Sequence, residues 1–317
     1  MNSSSAAVFR ANPGRTAWTY DRSLSGPAPT SGDACGTSVG LAPGTGGDET
    51  LLLGCPLDDG ATDTATDAGA VHVYRFDGTN WPHQATLRAA NADPGDHFGN
   101  AVAIDRDRGL IGADRERGSE NMPASNASPN AGAAYVFERS GNDWLQTAKL
   151  VAPTLFQNER LGRKVALSGD TLAAGTPGAR VDNMVRRGAV DVFERVGGVW
   201  QHRSRVVASD GIAEEGLGQQ GLALTPERLY VGNSGHFVDG QGMGSVYSYH
   251  RDAGGQWVQN SRFEAYDGVP GQSFGIWVGA SGSTVMVGAS THDASRGAVY
   301  LMFDGMIFKD GFEAIAP

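Results

Sequence analysis

Apolar positions in this chain fall in short runs that alternate with polar ones and are broken by glycine or small polar residues. Ala101-Val-Ala-Ile-Asp105, Gly109-Leu-Ile-Gly-Ala113, Ala133-Ala-Tyr-Val-Phe-Glu138 and Trp144 to Val151 follow one another in this way. A period of two, rich in β-branched and aromatic residues, predicts strands. Turns such as Ser140-Gly-Asn142 and Ser168-Gly-Asp170 predict tight hairpins between them. No long stretch carries the helical period.

The same four-strand pattern recurs, and its strands are lettered A to D here. Trp opens strand D at 81, 144, 200 and 257, and Trp18 lies a further 63 residues before Trp81. Strand C begins Gly69-Ala-Val-His-Val-Tyr, Gly132-Ala-Ala-Tyr-Val-Phe, Gly188-Ala-Val-Asp-Val-Phe, Gly244-Ser-Val-Tyr-Ser-Tyr and Gly297-Ala-Val-Tyr-Leu-Met. Strand A follows Phe98-Gly, Leu161-Gly, Leu217-Gly and Phe274-Gly, with Cys35-Gly in the same place. Strand B ends in Gly54-Cys-Pro, Gly112-Ala, Gly175-Thr-Pro, Gly232-Asn and Gly288-Ala. Four antiparallel strands per unit of about 57 residues describe a β-propeller blade, so the expected fold is all-β. Glycine at fixed places is expected where neighbouring backbones approach closely or φ turns positive.

Phe-Gly, an apolar strand and then Gly-Ala-Pro-like endings resemble the FG-GAP repeat of integrin alpha-chain propellers. Continuation into Gly-Ala-Val-Tyr-Val-Phe and a Trp strand is closer still to secreted bacterial FG-GAP proteins. The resemblance spans roughly residues 7 to 304 and speaks for fold more than for activity. Five blades are legible, at about 35–97, 98–160, 161–216, 217–273 and 274–304. Residues 1–34 read as strands C and D of a closing or preceding blade, and 305–317 as a tail. The last unit shows only strands A to C, and an N-terminal strand D would complete it. FG-GAP propellers more often have six or seven blades, which would make this chain part of a larger ring.

Composition narrows the class. Gly is 46 of 317 residues, and 6 Trp, 8 Tyr and 12 Phe argue for an ordered core. A net charge of −10 disfavours nucleic acid, which needs a basic patch. No run of apolar residues is long enough for a membrane span. Cys35 and Cys55, the two cysteines, stand where other units face Phe against Ala across the A–B hairpin. That register predicts a cross-strand disulfide and an oxidising compartment, the alternative being two buried thiols. The start Asn2-Ser-Ser-Ser-Ala lacks the basic and apolar segments of a signal peptide. An extracellular or periplasmic protein whose signal peptide is absent from this chain is therefore expected. Ile307-Phe-Lys-Asp-Gly-Phe-Glu313 resembles a short ending of secreted bacterial proteins.

Candidate chemistry is sparse. Gly36-Thr-Ser-Val-Gly40 matches a nucleophile elbow as a string, but Ser38 falls on strand A with no helix to follow. Seven His residues (72, 83, 97, 202, 236, 250, 292) form no tight ligand spacing. Integrin propellers bind calcium in D-x-D-x-D-G loops between strands A and B. The equivalent turns here, such as Asp105-Arg-Asp-Arg-Gly109, depart from that pattern, so the role does not carry over. Asp58, Asp59, Asp63 and Asp67 form an acidic B–C loop, a weak calcium candidate. The B–C loops are long and dissimilar, and variable loops on a rigid scaffold carry recognition. Arg115, Arg117, Arg180, Arg186, Arg187, His236 and His292 are the candidate ligand-facing residues. The Trp series invites a sugar-stacking reading, although one Trp per strand D also suits packing between blades. The leading expectation is a non-enzymatic extracellular binding or adhesion module for a protein or glycan, with no catalytic residues or cofactor. A lectin, or a hydrolase or lyase working at the channel mouth, are the alternatives.

Overall fold

The computed structural model describes residues 5–14, 16–27, 32–43, 48–60, 64–117, 128–154, 156–238, 240–303, 306–309 and 313–314. The chain divides into two units, residues 1–150 and 151–317. Both are made of antiparallel propeller blades, five in all, and the all-β fold class is the expected one.

The first unit opens with a hairpin, Ala6–Ala11 and Trp18–Leu24. Blade 1 has strands A to D at Ser38–Pro43, Glu49–Cys55, Ala70–Arg75 and His83–Leu87. Blade 2 has them at Phe98–Asp105, Arg108–Ala113, Ala133–Ser140 and Asp143–Leu150. In the second unit, blade 3 runs through Val165–Ser168, Thr171–Thr176, Ala189–Val196 and Val199–Val206. Blade 4 runs through Leu222–Leu224, Arg228–Asn233, Ser245–Arg251 and Trp257–Phe263. Blade 5 comprises Phe274–Ser281, Thr284–Ala289, Ala298–Phe303 and Met306–Lys309, edged by Glu313–Ala314.

Burial follows strand position. In blades 1 and 2 the central strands B and C are covered on both faces, so Leu52, Leu53, Leu110, Ile111 and Tyr135 are fully buried, whereas Met286 and Val299 on strands B and C of blade 5 stay exposed. Strand A of blade 1 is half-covered, and its Val39 and Leu41 stay exposed. In blades 1 to 4 the C–D pair carries one extra residue on strand D, three positions after the Trp: Gln84, Thr147, Arg203 and Asn260. Such a bulge sharpens the local twist of the outer strands. The N-terminal hairpin has it too, at Asp21. Trp18 there is 65% exposed, whereas Trp81, Trp144 and Trp257 are at most 8% exposed.

The last blade departs from the sequence reading. Its fourth strand comes from Met306–Lys309, inside the segment read as a tail, and pairs with Ala298–Phe303. The N-terminal Trp18–Leu24 pairs instead with Ala6–Ala11. The signal passed over was the Asp304-Gly305 dipeptide in the sequence, which favours tight hairpins; both residues lie outside the described ones.

Glycine pairs join neighbouring blades within each unit. A Cβ on Gly54 would lie 2.1 Å from the carbonyl oxygen of Gly99, and one on Gly232 would lie 1.9 Å from that of Gly275. Gly99 and Gly275 themselves sit at φ +93° and +88°. The two glycines per junction therefore allow backbone to touch backbone where a side chain has no room. At the first of these blades the expected disulfide joins Cys35 to Cys55, with Cα atoms 3.9 Å apart. Closing a loop of this length contributes about 3 kcal/mol on the chain-entropy account.

Candidate functional site

A polar network occupies the B–C loop end of the blades, built from three repeat positions. The first lies two residues before the Phe-Gly marker: Asp33, Asp96, Glu159, Glu215 and Gln272. The next residue is left-handed each time, with φ between +53° at Ala34 and +63° at Gly216. The kink accompanies a buried side chain at the first position in every blade. The second position lies four after the strand B glycine: Asp58, Glu116, Ala179, His236 and His292. The third lies on strand C: His72, Tyr135, Asp191, Tyr247 and Tyr300.

In blade 2 these positions surround one carboxylate. Glu116 is 1% exposed and accepts hydrogen bonds from the Tyr135 hydroxyl (2.7 Å) and from Asn91 Nδ2 (3.2 Å). Lys149 Nζ lies 3.1 Å from it and balances its charge. Asp96 is equally buried, and burial followed by repulsion from Glu116 pushes its carboxyl up to about 8. Asp96 Oδ2 accepts from the Asp93 N–H at 2.8 Å.

Blade 3 uses the opposite polarity. Asp191, fully buried on strand C, accepts from Thr176 Oγ1 (2.7 Å) and Arg205 Nη2 (2.9 Å), with His202 Nε2 at 2.8 Å. Burial alone would raise its pKa, but these hydrogen bonds hold it below the usual carboxylate range. Glu159, 3.5 Å from Arg205, is raised by its burial. In blade 4, Glu215 binds His236 Nδ1 at 2.8 Å and accepts from Asn233. The Tyr247 hydroxyl donates to Asp210 at 2.8 Å. In blade 5, His292 Nδ1 meets Gln272 Oε1 at 3.0 Å, and Tyr300 donates to Asp267 at 2.7 Å.

The sequence candidates divide accordingly. His236 and His292 are buried members of these networks, and Arg187 is buried against Asp182 and the Ala208 carbonyl. Arg115, Arg117, Arg180 and Arg186 are exposed at the loop end, Arg186 beside Glu214 at 3.3 Å. Asp58 pairs with Arg88 and accepts from Gly60 N, while Asp59 accepts from Asp67 N. These contacts order the acidic loop from within. Asp63 lies outside the described residues. Described residues that do come together at metal-ligand spacing are Cys35, Cys55 and His72. Ser38 donates to the Gly99 carbonyl at the blade junction. Two of the strand D Trp residues bridge neighbouring blades: Trp144 Nε1 donates to Gln84 of blade 1, and Trp257 Nε1 to Glu194 of blade 3, while Trp200 is half-buried.

At the opposite end, a groove of about 630 Å³ is lined by Asp48, Arg75, Phe76, Asp77, His83 and Asn142. Its charges are largely answered in place. Arg75 pairs with Asp48, and Asp77 accepts from the backbone of Thr79 and Asn80.

The first repeat position escaped the sequence reading. Its signal was an acid or amide two residues before each Phe-Gly-like marker, visible once the five units are aligned on that marker.

Replacing Asp96 with asparagine isolates its proton. A carboxyl whose folded pKa lies above its unfolded value of about 4 contributes stability at low pH and loses it as pH rises. Here the window runs from about pH 4 to the folded value of about 8. Wild type should lose stability relative to Asp96→Asn across it, by at most about 1.4 kcal/mol per pH unit. Urea midpoints of both proteins, pH by pH, check this; parallel curves would refute the buried proton.

Comparison with known proteins agrees with the repeat register. The family model described as FG-GAP repeat matches residues 81–137, 144–193 and 257–303. No curated protein matches the chain.

Proposed function

The chain carries FG-GAP repeats, and on that premise we propose that it is a non-enzymatic binding module of an extracellular or periplasmic compartment. It presents the variable B–C loops to a protein or glycan ligand bearing anionic groups. One observation carries this reading: the principal buried acids at the loop end are held by side chains of their own blades. Glu116, Asp191 and Glu215 each hold two or more partners inside their own blade. Acids and imidazoles fixed in this way serve the scaffold instead of waiting for a substrate. Outside the networks the loops offer guanidinium groups, whose planar fork suits carboxylate and sulfate. The disulfide fits an oxidising compartment. No helix among the described residues is long and apolar enough to cross a membrane. A sugar-stacking lectin is less well supported, because Trp81, Trp144 and Trp257 are used up in packing.

A glycan array and a panel of immobilised acidic proteins test the proposal. Saturable binding is expected, weakened tenfold or more by Arg115→Ala with Arg117→Ala at an unchanged melting midpoint. Cleavage of an arrayed glycan would replace the proposal with an enzyme. Binding indifferent to both substitutions and to salt would move the site elsewhere.

A further inference from the structure

We propose that Cys35, Cys55 and His72 form a metal-binding alternative to the disulfide: once a dithiol reduces the bond, the two thiolates and the imidazole hold one zinc-class divalent cation. Their ligand atoms lie within 4.8 Å of one another, and all three residues are buried. Soft sulfur and imidazole donors favour zinc and cobalt over the calcium that acidic loops would take.

The surroundings suit a ligating histidine. The Thr86 hydroxyl lies 3.1 Å from Nδ1 and orients the ring, which leaves Nε2 to coordinate. A Cβ on Gly26 would come within 2.8 Å of that Nε2, so glycine keeps the approach open. Two thiolates cancel a divalent charge, and the occupied site would be neutral in a region packed with Leu24, Leu51, Leu53 and Tyr74.

The chemistry balances. The dithiol gives two electrons and two protons to the sulfurs and becomes a disulfide itself. The cation then displaces both protons as it binds the thiolates. At about 2.3 Å from each sulfur, zinc bridges the positions that the S–S bond had joined. The end of the blade 1 hairpin would therefore stay clamped in a reducing environment as well as an oxidising one.

Cobalt(II) is the probe. The protein is treated with a dithiol, desalted without air and titrated beside the untreated protein. The reduced protein should develop an intense sulfur-to-cobalt charge-transfer band at one equivalent. The untreated protein should develop none, because its sulfurs are bonded to each other. His72→Gln, which keeps both cysteines, should weaken cobalt binding at least tenfold after reduction. Zinc should raise the melting midpoint of the reduced protein only. The proposal is overturned if the reduced, still folded protein shows no such band. It is equally overturned if His72→Gln binds as tightly as wild type, or if reduction unfolds the chain and zinc does not restore it.

Discussion

Gly232→Ala is expected to cost about 3 kcal/mol or more, a large share of the stability of an ordinary domain. The added methyl would sit 1.9 Å from the Gly275 carbonyl oxygen. That neighbour is backbone, held in turn at φ +88° against the Ser245 carbonyl, so it has nowhere to retreat. Blades 4 and 5 must separate or the strand must slip. Gly235→Ala, three residues on, is the control, since its Cβ would meet nothing within 4 Å. It should stay within about 0.5 kcal/mol of wild type. Denaturant unfolding of both variants decides the matter; equal stability would mean that the glycines do not set the blade junction.

Asp191→Ala is expected to cost about 3–5 kcal/mol, the usual penalty for removing one partner of a buried ion pair. Arg205 would keep only Glu159, at 3.5 Å, while Thr176 and His202 would lose their acceptor. The same group predicts acid sensitivity. Its folded pKa lies below its unfolded value, so its contribution is present above the unfolded value of about 4 and vanishes as pH falls through the folded one. Removing Asp191 should therefore flatten the acid limb of the stability curve. A variant of near wild-type stability, or one with the acid limb intact, would show that the cluster in blade 3 is dispensable.

Much of the fold could be read from the chain because the cues repeat. Gly-Ala-Val-Asp-Val-Phe at 188 and Gly244-Ser-Val-Tyr-Ser-Tyr mark the same strand in different blades, and five copies average out local ambiguity. The Cys35–Cys55 bridge followed from register, since both residues replace partners that face each other elsewhere. The fourth strand of blade 5 was missed because no Trp opens Met306–Lys309, and Trp had served as the marker of strand D. The loop end was harder to read. His236 and Arg117 look alike in sequence, as polar residues in polar loops. Only three-dimensional packing shows His236 against Glu215, while Arg117 faces solvent. Partners such as Asn91 and Lys149 come from different connections, and the period of the repeat does not reveal their pairing.

From these networks follows a division of labour. In the function proposed above, buried acids, histidines and tyrosines hold the loop ends of the blades, and the exposed loop arginines are left for the ligand. The most direct test is a carboxyl carbon-13 NMR titration of the intact protein, with and without calcium. The account predicts that Asp96 titrates near pH 8 and that Asp191 stays ionised below the usual carboxylate range. It predicts that calcium moves neither. If both carboxyls titrate near pH 4 like solvated side chains, or shift when calcium is added, the loop-end acids are available to ligands and the division is wrong.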